Sequence, residues 1–200
     1  AILRGRSMIN TDPPVHSRLR RLVSAAFTPR AMTDLEARIQ QIARALVDDI
    51  VARDGFDVVD DLAVPLPVTV IAEMLGIDPA RGADFKRWSD ELVELGRLTR
   101  DQQMTPEETR RLVQSRRELV AYLEAAIADR REHPRGDLLS ALTRVEGEDS
   151  GLTALEVLGM AVLLLIAGNE TTTNLIATGT HLLLDHPEAL AQLRAEPALI

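Results

Sequence analysis

One apolar run near the C-terminal end constrains this chain more than any other feature. Residues 157–168 are twelve in a row without a charge, bounded by Glu156 on one side and by Asn169 and Glu170 on the other. Thr153 stands three residues before Glu156. That is the spacing of a capping box, in which each side chain satisfies the other's backbone amide. No proline follows until Pro187, so a single helix is predicted over 153–185. At 1.5 Å per residue it is about 45 Å long, enough to cross a whole domain. A membrane span needs about 20 apolar residues. This run stops at twelve, so no membrane span is predicted and the segment reads as the core helix of a globular protein.

The same helix changes character halfway. At about 100° per residue, Leu163, Ala167, Glu170, Thr171 and Asn174 fall on one side, within about 80° of arc. Polar groups in a buried helix are costly unless paired, so something must compensate for Glu170 and Thr171. A threonine can return its hydroxyl to the carbonyl four residues earlier, here that of Ala167, and bend the helix. Gly168 weakens the same turn. Together they can open a notch lined by small residues, a hydroxyl and a carboxylate. The competing structural reading is that Glu170 emerges at the surface and the threonines are spacers.

A second constellation lies near the start. Asp12-Pro13-Pro14 is a helix-start signal, and the helix is predicted to run to about residue 27, before Pro29. Val15, Leu19, Leu22, Val23 and Ala26 form its apolar stripe. His16 and Arg20 are four apart, so they stack on one border of that stripe. Arg18 falls on the other border and Arg21 faces solvent. Two stacked cationic donors beside an apolar wall suit an anionic group carried on an apolar body. The alternative is that both are border residues with routine partners.

The remaining pattern is also helical. Helices are predicted over 31–53, 68–75, from Pro79 to near Gly96, from Thr105 to about residue 131, over 137–145, and from Pro187. Gly55, Gly76 and His133-Pro134-Arg135-Gly136 close three of them. Loops are predicted at 97–105 and 146–151, and at most one short strand, for which 56–59 is the candidate. Hydrophobic residues make up 46% of the chain but aromatics only 2%, so the core must be aliphatic, with Phe85 and Trp88 packed into it. Net charge is -8, with six arginines and one aspartate in residues 1–30. A mostly acidic chain is a poor general nucleic-acid binder. There are no cysteines, which excludes disulfides and cysteine-based zinc sites in this chain and fits a reducing cytoplasm. His133, His181 and His186 lack metal-ligand spacing, and no phosphate loop or nucleophile elbow is present.

These segments together resemble the cytochrome P450 family, above all its soluble bacterial members. Asp12-Pro13-Pro14-Val15-His16-Ser17-Arg18-Leu19-Arg20-Arg21-Leu22-Val23 is similar to the family's helix C, and Phe27-Thr28-Pro29-Arg30 follows as it does there. Ala167-Gly168-Asn169-Glu170-Thr171-Thr172 resembles the oxygen-binding motif of helix I, small-Gly-x-acid-Thr-Thr. Ile71-Ala72-Glu73-Met74-Leu75-Gly76-Ile77 resembles helix E and the turn after it. The resemblance covers essentially the whole chain, in the right order.

It implies a mainly α, partial cytochrome P450 fold running from helix C to helix I or J, with at most one short strand. His16 and Arg20 would bind the haem propionates. Ala167 and Gly168 would line the oxygen groove, with Glu170 and Thr171 assigned to proton delivery, and Leu163 and Ile166 would lie near haem and substrate. Arg18 and Arg21 would be docking points for an acidic redox partner. The implied activity is that of a haem-thiolate monooxygenase, placing one oxygen atom from O2 into a small organic substrate. Its cofactor would be haem b with its iron, and electrons would come from NAD(P)H through a ferredoxin or flavoprotein reductase, in the cytoplasm. The family's N-terminal region, its helix K and the cysteine loop that ligates the iron have no counterpart in residues 1–200, so this chain is expected to be an internal fragment, inactive alone and without a metal ligand. The alternative from another class is a non-catalytic helical module of the same fold that binds a ligand or a protein.

Overall fold

Caps, prolines and one left-handed glycine divide the chain into its helices. In the computed structural model, residues 8–24, 27, 29–97, 104–145 and 151–199 are described, the side chains at 29–32, 34, 93 and 95–97 excepted. Eight α-helices follow one another along the described residues: α1 (Val15–Ser24), α2 (Pro29–Val51), α3 (Pro65–Leu75), α4 (Gly82–Arg97), α5 (Pro106–Glu132), α6 (Leu138–Arg144), α7 (Ala154–Asp185) and α8 (Pro187–Ala195). The boundaries lie within a few residues of those predicted. Ala26, Thr28, the Leu95 side chain and most of the two predicted loops lie outside the described residues.

The expected strand at 56–59 is not formed, and there is no strand among the described residues. Asp57 redirects the chain: its Oδ1 accepts from the amides of Val59 and Asp60 at 2.7 and 3.2 Å, while Asp61 Oδ2 accepts from the Asp57 amide at 2.8 Å. These caps start a wide helical turn over Val59–Ala63, closed by the Val64 amide on the Val59 carbonyl at 2.9 Å. Pro65 has no N–H to give to Asp61, which favours the wider spacing. Local polar chemistry therefore overrides the β-branched residues at 58 and 59.

Gly76 ends α3 with φ of +70°, the left-handed C-terminal geometry that favours glycine. A side chain there would collide with Asp137. Asp137 in turn caps α6 through the Ser140 amide at 2.8 Å and accepts from Arg130 Nε at 2.5 Å. The buried Arg130 also donates to the Gly76 carbonyl at 2.7 Å. One buried guanidinium, fully supplied with acceptors, thus fixes α3, α5 and α6 together.

The core is aliphatic as predicted. Leu75, Leu119, Leu123, Leu139, Leu142, Leu152, Leu158 and Leu165 are completely or almost completely buried, with Phe85 and Trp88 among them. Each such leucine contributes about 2–3 kcal/mol relative to an exposed position. α7 touches α3, α4, α5, α6 and α8 and packs most extensively against α3. By length and composition it could cross a membrane, with a mean hydropathy of 1.5 in its most apolar window, but 56% of that window is buried within the protein. The prediction of one continuous helix is met. The prediction that it is buried throughout is not: Leu175, Leu182 and Leu184 are 73%, 51% and 67% exposed. The helices around it cover its first half, from Glu156 to Leu165 and Asn169, and leave the outer face of its second half bare.

Candidate functional site

α1 presents Leu19 and Val23 to the core, 1% and 6% exposed, so its apolar stripe faces inward as predicted. His16 and Arg20 stand one turn apart on the flank, the first half-buried and the second exposed. Neither side chain makes a hydrogen bond or ion pair among the described residues, so the imidazole and guanidinium are both open to a further group. Arg21 is exposed beside them.

Arg18 departs from its predicted place as a free surface cation. Its Nη1 donates to the Gly151 carbonyl at 2.8 Å, and its Nη2 is ion-paired with Glu156 Oε1. Glu156 is only 7% exposed, and its Oε2 accepts from the Thr153 amide at 2.7 Å. The Thr153 hydroxyl accepts in return from the Glu156 amide at 3.3 Å. The predicted capping box of α7 is therefore present, and its acid is also the anchor for α1.

The motif turn lies fourteen residues beyond Glu156, about 21 Å along the helix axis. The Thr171 hydroxyl donates to the Ala167 carbonyl at 2.7 Å, the predicted back-bond. Ala167 and Thr171 are both exposed on one face, which continues through Asn174, Leu175 and Thr178. Glu170 is half-buried beside it. Leu163 and Ile166, half-buried, pack against the core cluster. Gly168 faces inward: a Cβ there would meet Ile71 of α3 at 3.5 Å, so this glycine sits where α7 lies close to α3. No hydrogen bond or ion pair among the described residues joins His16 or Arg20 to the motif turn; α1 is tied to α7 at its first turn instead.

Sequence reasoning missed Asn169. It is 5% exposed, and its Nδ2 donates to the fully buried Ser89 Oγ of α4 at 2.5 Å. The Thr173 hydroxyl lies 2.9 Å from the Ala63 carbonyl and 3.2 Å from Asn169 Oδ1. The available signal was a pair of polar residues at core positions: Ser89 beside Trp88 and Leu92 on the inner face of α4, and Asn169 inside an otherwise apolar helix.

Residues 2–198 match the family model described as Cytochrome P450. The chain belongs to the cytochrome P450 family. It is 43% identical to the cytochrome P450 monooxygenase PikC of Streptomyces venezuelae, covering 97% of this chain and 45% of that protein. It is 39% identical to cytochrome P450 CYP107DY1 of Priestia megaterium, covering 97% and 46%. Among solved structures, CYP109Q5 from Chondromyces apiculatus is 45% identical with a TM-score of 0.82, over 97% of this chain and 46% of that one. CYP109E1 from Bacillus megaterium in complex with testosterone is 35% identical with a TM-score of 0.86, over 100% and 54%. The chain spans about half the length of the relatives it matches.

A cytochrome P450 implies haem, and the donor set fits one. Haem is a flat apolar body with two carboxylates. The His16 and Arg20 side chains offer hydrogen-bond donors one turn apart, without other partners among the described residues. α7 separately offers an exposed face of small and apolar side chains, Ala167, Thr171 and Leu175, a surface suited to a flat apolar ring.

Proposed function

We propose that this chain is the internal part, residues 1–200, of a haem-thiolate monooxygenase that places one oxygen atom from O2 into a small organic substrate. What supports this is the Thr171 back-bond to Ala167 on the exposed face of α7, with Glu170 next to it, in a chain of the cytochrome P450 family. Two relatives carry names of the same reaction type, 6-deoxyerythronolide B hydroxylase and erythromycin C-12 hydroxylase.

Bound haem b would supply the redox chemistry, with electrons from NAD(P)H delivered through a ferredoxin or flavoprotein reductase and a cysteine outside this chain as iron ligand. In this reading His16 and Arg20 hold the propionates by charge-assisted hydrogen bonds. Ala167 keeps the exposed face slim, so that dioxygen has space against α7, and Gly168 leaves the same turn without a side chain toward α3. Leu163 and Ile166 give the substrate an apolar wall. The Thr171 hydroxyl, already committed as a donor to Ala167, presents its lone pairs outward and accepts from a water; it can then donate by rotating away from the carbonyl. Glu170 passes protons between solvent and that hydroxyl, because a carboxylate both accepts and releases them. Arg21, exposed on α1, offers a positive contact to an acidic redox partner. The protein works in the cytoplasm in this account.

The test uses the full-length protein carrying this segment, with NAD(P)H, ferredoxin and reductase under 18O2. Testosterone and 6-deoxyerythronolide B serve as probes. The expected result is a product that carries a single 18O atom. Haem-loaded protein that consumes NAD(P)H and never labels a substrate would contradict the proposal.

A further inference from the structure

We infer that Asn169 is a positioning residue that locks α7 in rotation against α4 and thereby aims Glu170 and Thr171 at the outer face. The inference rests on the reading of that face as the oxygen groove.

Both ends of the Asn169 amide are engaged. Nδ2 donates to Ser89, eighty residues away on α4, at 2.5 Å. Oδ1 receives part of the Thr173 hydroxyl proton at 3.2 Å, while the same hydroxyl reaches the Ala63 carbonyl at 2.9 Å. The result is a chain of polar contacts running Ser89, Asn169, Thr173, Ala63, drawn from three separate elements. Ser89 and Asn169 are 0% and 5% exposed.

A leucine at 169 would satisfy an apolar core equally well, so burying an amide needs a reason. Hydrogen bonds supply one, because they are directional and weaken steeply when misaligned. An apolar contact tolerates a small rotation of the helix, whereas this link does not. Leaving a buried hydrogen bond unmade is costly, which penalises any rotation that breaks it.

The geometry of the helix turns that lock into aim. At about 100° per residue, Thr171 points about 160° away from Asn169, and Glu170 about 100°. Asn169 is accordingly buried where Thr171 is exposed. Gly168 is on the side toward α3, where a Cβ would meet Ile71 at 3.5 Å. The turn that carries the two polar groups is held from α4 through Ser89, which makes α4 and that turn one mechanical unit.

The test compares Ser89→Ala, Asn169→Leu and Thr171→Ala in the full-length, haem-loaded protein, with the hydroxylation probes above. Ser89→Ala and Asn169→Leu should retain haem. They should lower kcat and product formed per NAD(P)H by about tenfold with KM unchanged, as expected when reacting groups are slightly misaimed. Amide hydrogen exchange over 167–173 should accelerate by about tenfold as the turn loosens. If Asn169→Leu does not fold, Ser89→Ala breaks the same link from the other helix and decides the matter. Unchanged coupling in these two variants, with Thr171→Ala strongly uncoupled, overturns the inference, and so does faster exchange without loss of coupling. If Thr171→Ala is also fully coupled, the oxygen-groove reading is what fails, and the exchange data alone then report whether Asn169 holds the turn.

Discussion

Arg18 on α1 is ion-paired with Glu156, the acid that completes the capping box of α7, although 138 residues separate them in the chain. The two oxygens of one buried carboxylate are divided between a local task and a distant one. Oε2 holds the Thr153 amide and Oε1 holds α1. The acid also sits at the positive end of the helix dipole. The Arg18–Glu156 pair thus ties the helix carrying His16 and Arg20 to the helix carrying Glu170 and Thr171.

Removing the Arg18 side chain should be felt. Arg18→Leu leaves Glu156 buried without its cation, and the expected cost is about 1–3 kcal/mol, that of an unpartnered buried acceptor. Arg21→Leu, at an exposed position, should cost within about 0.5 kcal/mol. Urea unfolding of the full-length protein measures both, and equal costs would contradict the link.

What the sequence revealed and what it hid divide by range. The caps at Thr153, Thr105 and Gly76 are local chemistry within one turn, and all three are where the pattern put them. The back-bond of Thr171 to Ala167 is equally local. The short strand that the pattern allows at 56–59 does not form because Asp57 and Asp61 cap a turn more strongly than two valines favour a strand. Arg18 was misplaced because its partner lies at the far end of the chain, and no periodicity reports a contact across 138 residues. The same holds for Asn169 and Ser89, where helical spacing could mark both as core positions but could not say that they meet.

The polar contact between α4 and α5 should weaken in acid. Glu118 of α5 accepts from Arg87 at 2.7 Å, Gln114 at 3.0 Å and the Trp88 ring nitrogen at 3.3 Å. These donors, Arg87 first, hold its carboxyl at about 2, below the ordinary 4.5. A depressed folded value stabilises the fold fully above about pH 4.5 and loses that contribution as pH falls toward 2. Asp84 and Glu91 also face Arg87, at 3.4 and 3.6 Å. Trp88 is the single tryptophan, and its fluorescence should report the change over that window. Glu118→Gln should remove most of the response; an unaltered acid titration would contradict the assignment.

Haem retention should separate two neighbouring arginines. In the full-length protein, Arg20→Leu should speed haem transfer to apomyoglobin by about tenfold, the effect of losing one charge-assisted hydrogen bond of about 1.5 kcal/mol. Arg21→Leu should leave that rate near wild type and slow reduction by the electron donor instead. Equal haem loss from both would remove Arg20 from the propionate site.

The most direct measurement is the ratio of hydroxylated product and of hydrogen peroxide to NAD(P)H consumed, in the full-length protein bearing Thr171→Ala. The Thr171 side chain is exposed on α7 and bonded only to its own helix among the described residues, so its removal should spare folding and haem content. Oxygen uptake should continue while the proton supply loses its hydroxyl. The account predicts that reducing equivalents move from product into peroxide. Product formation that stays fully coupled to NAD(P)H would contradict it.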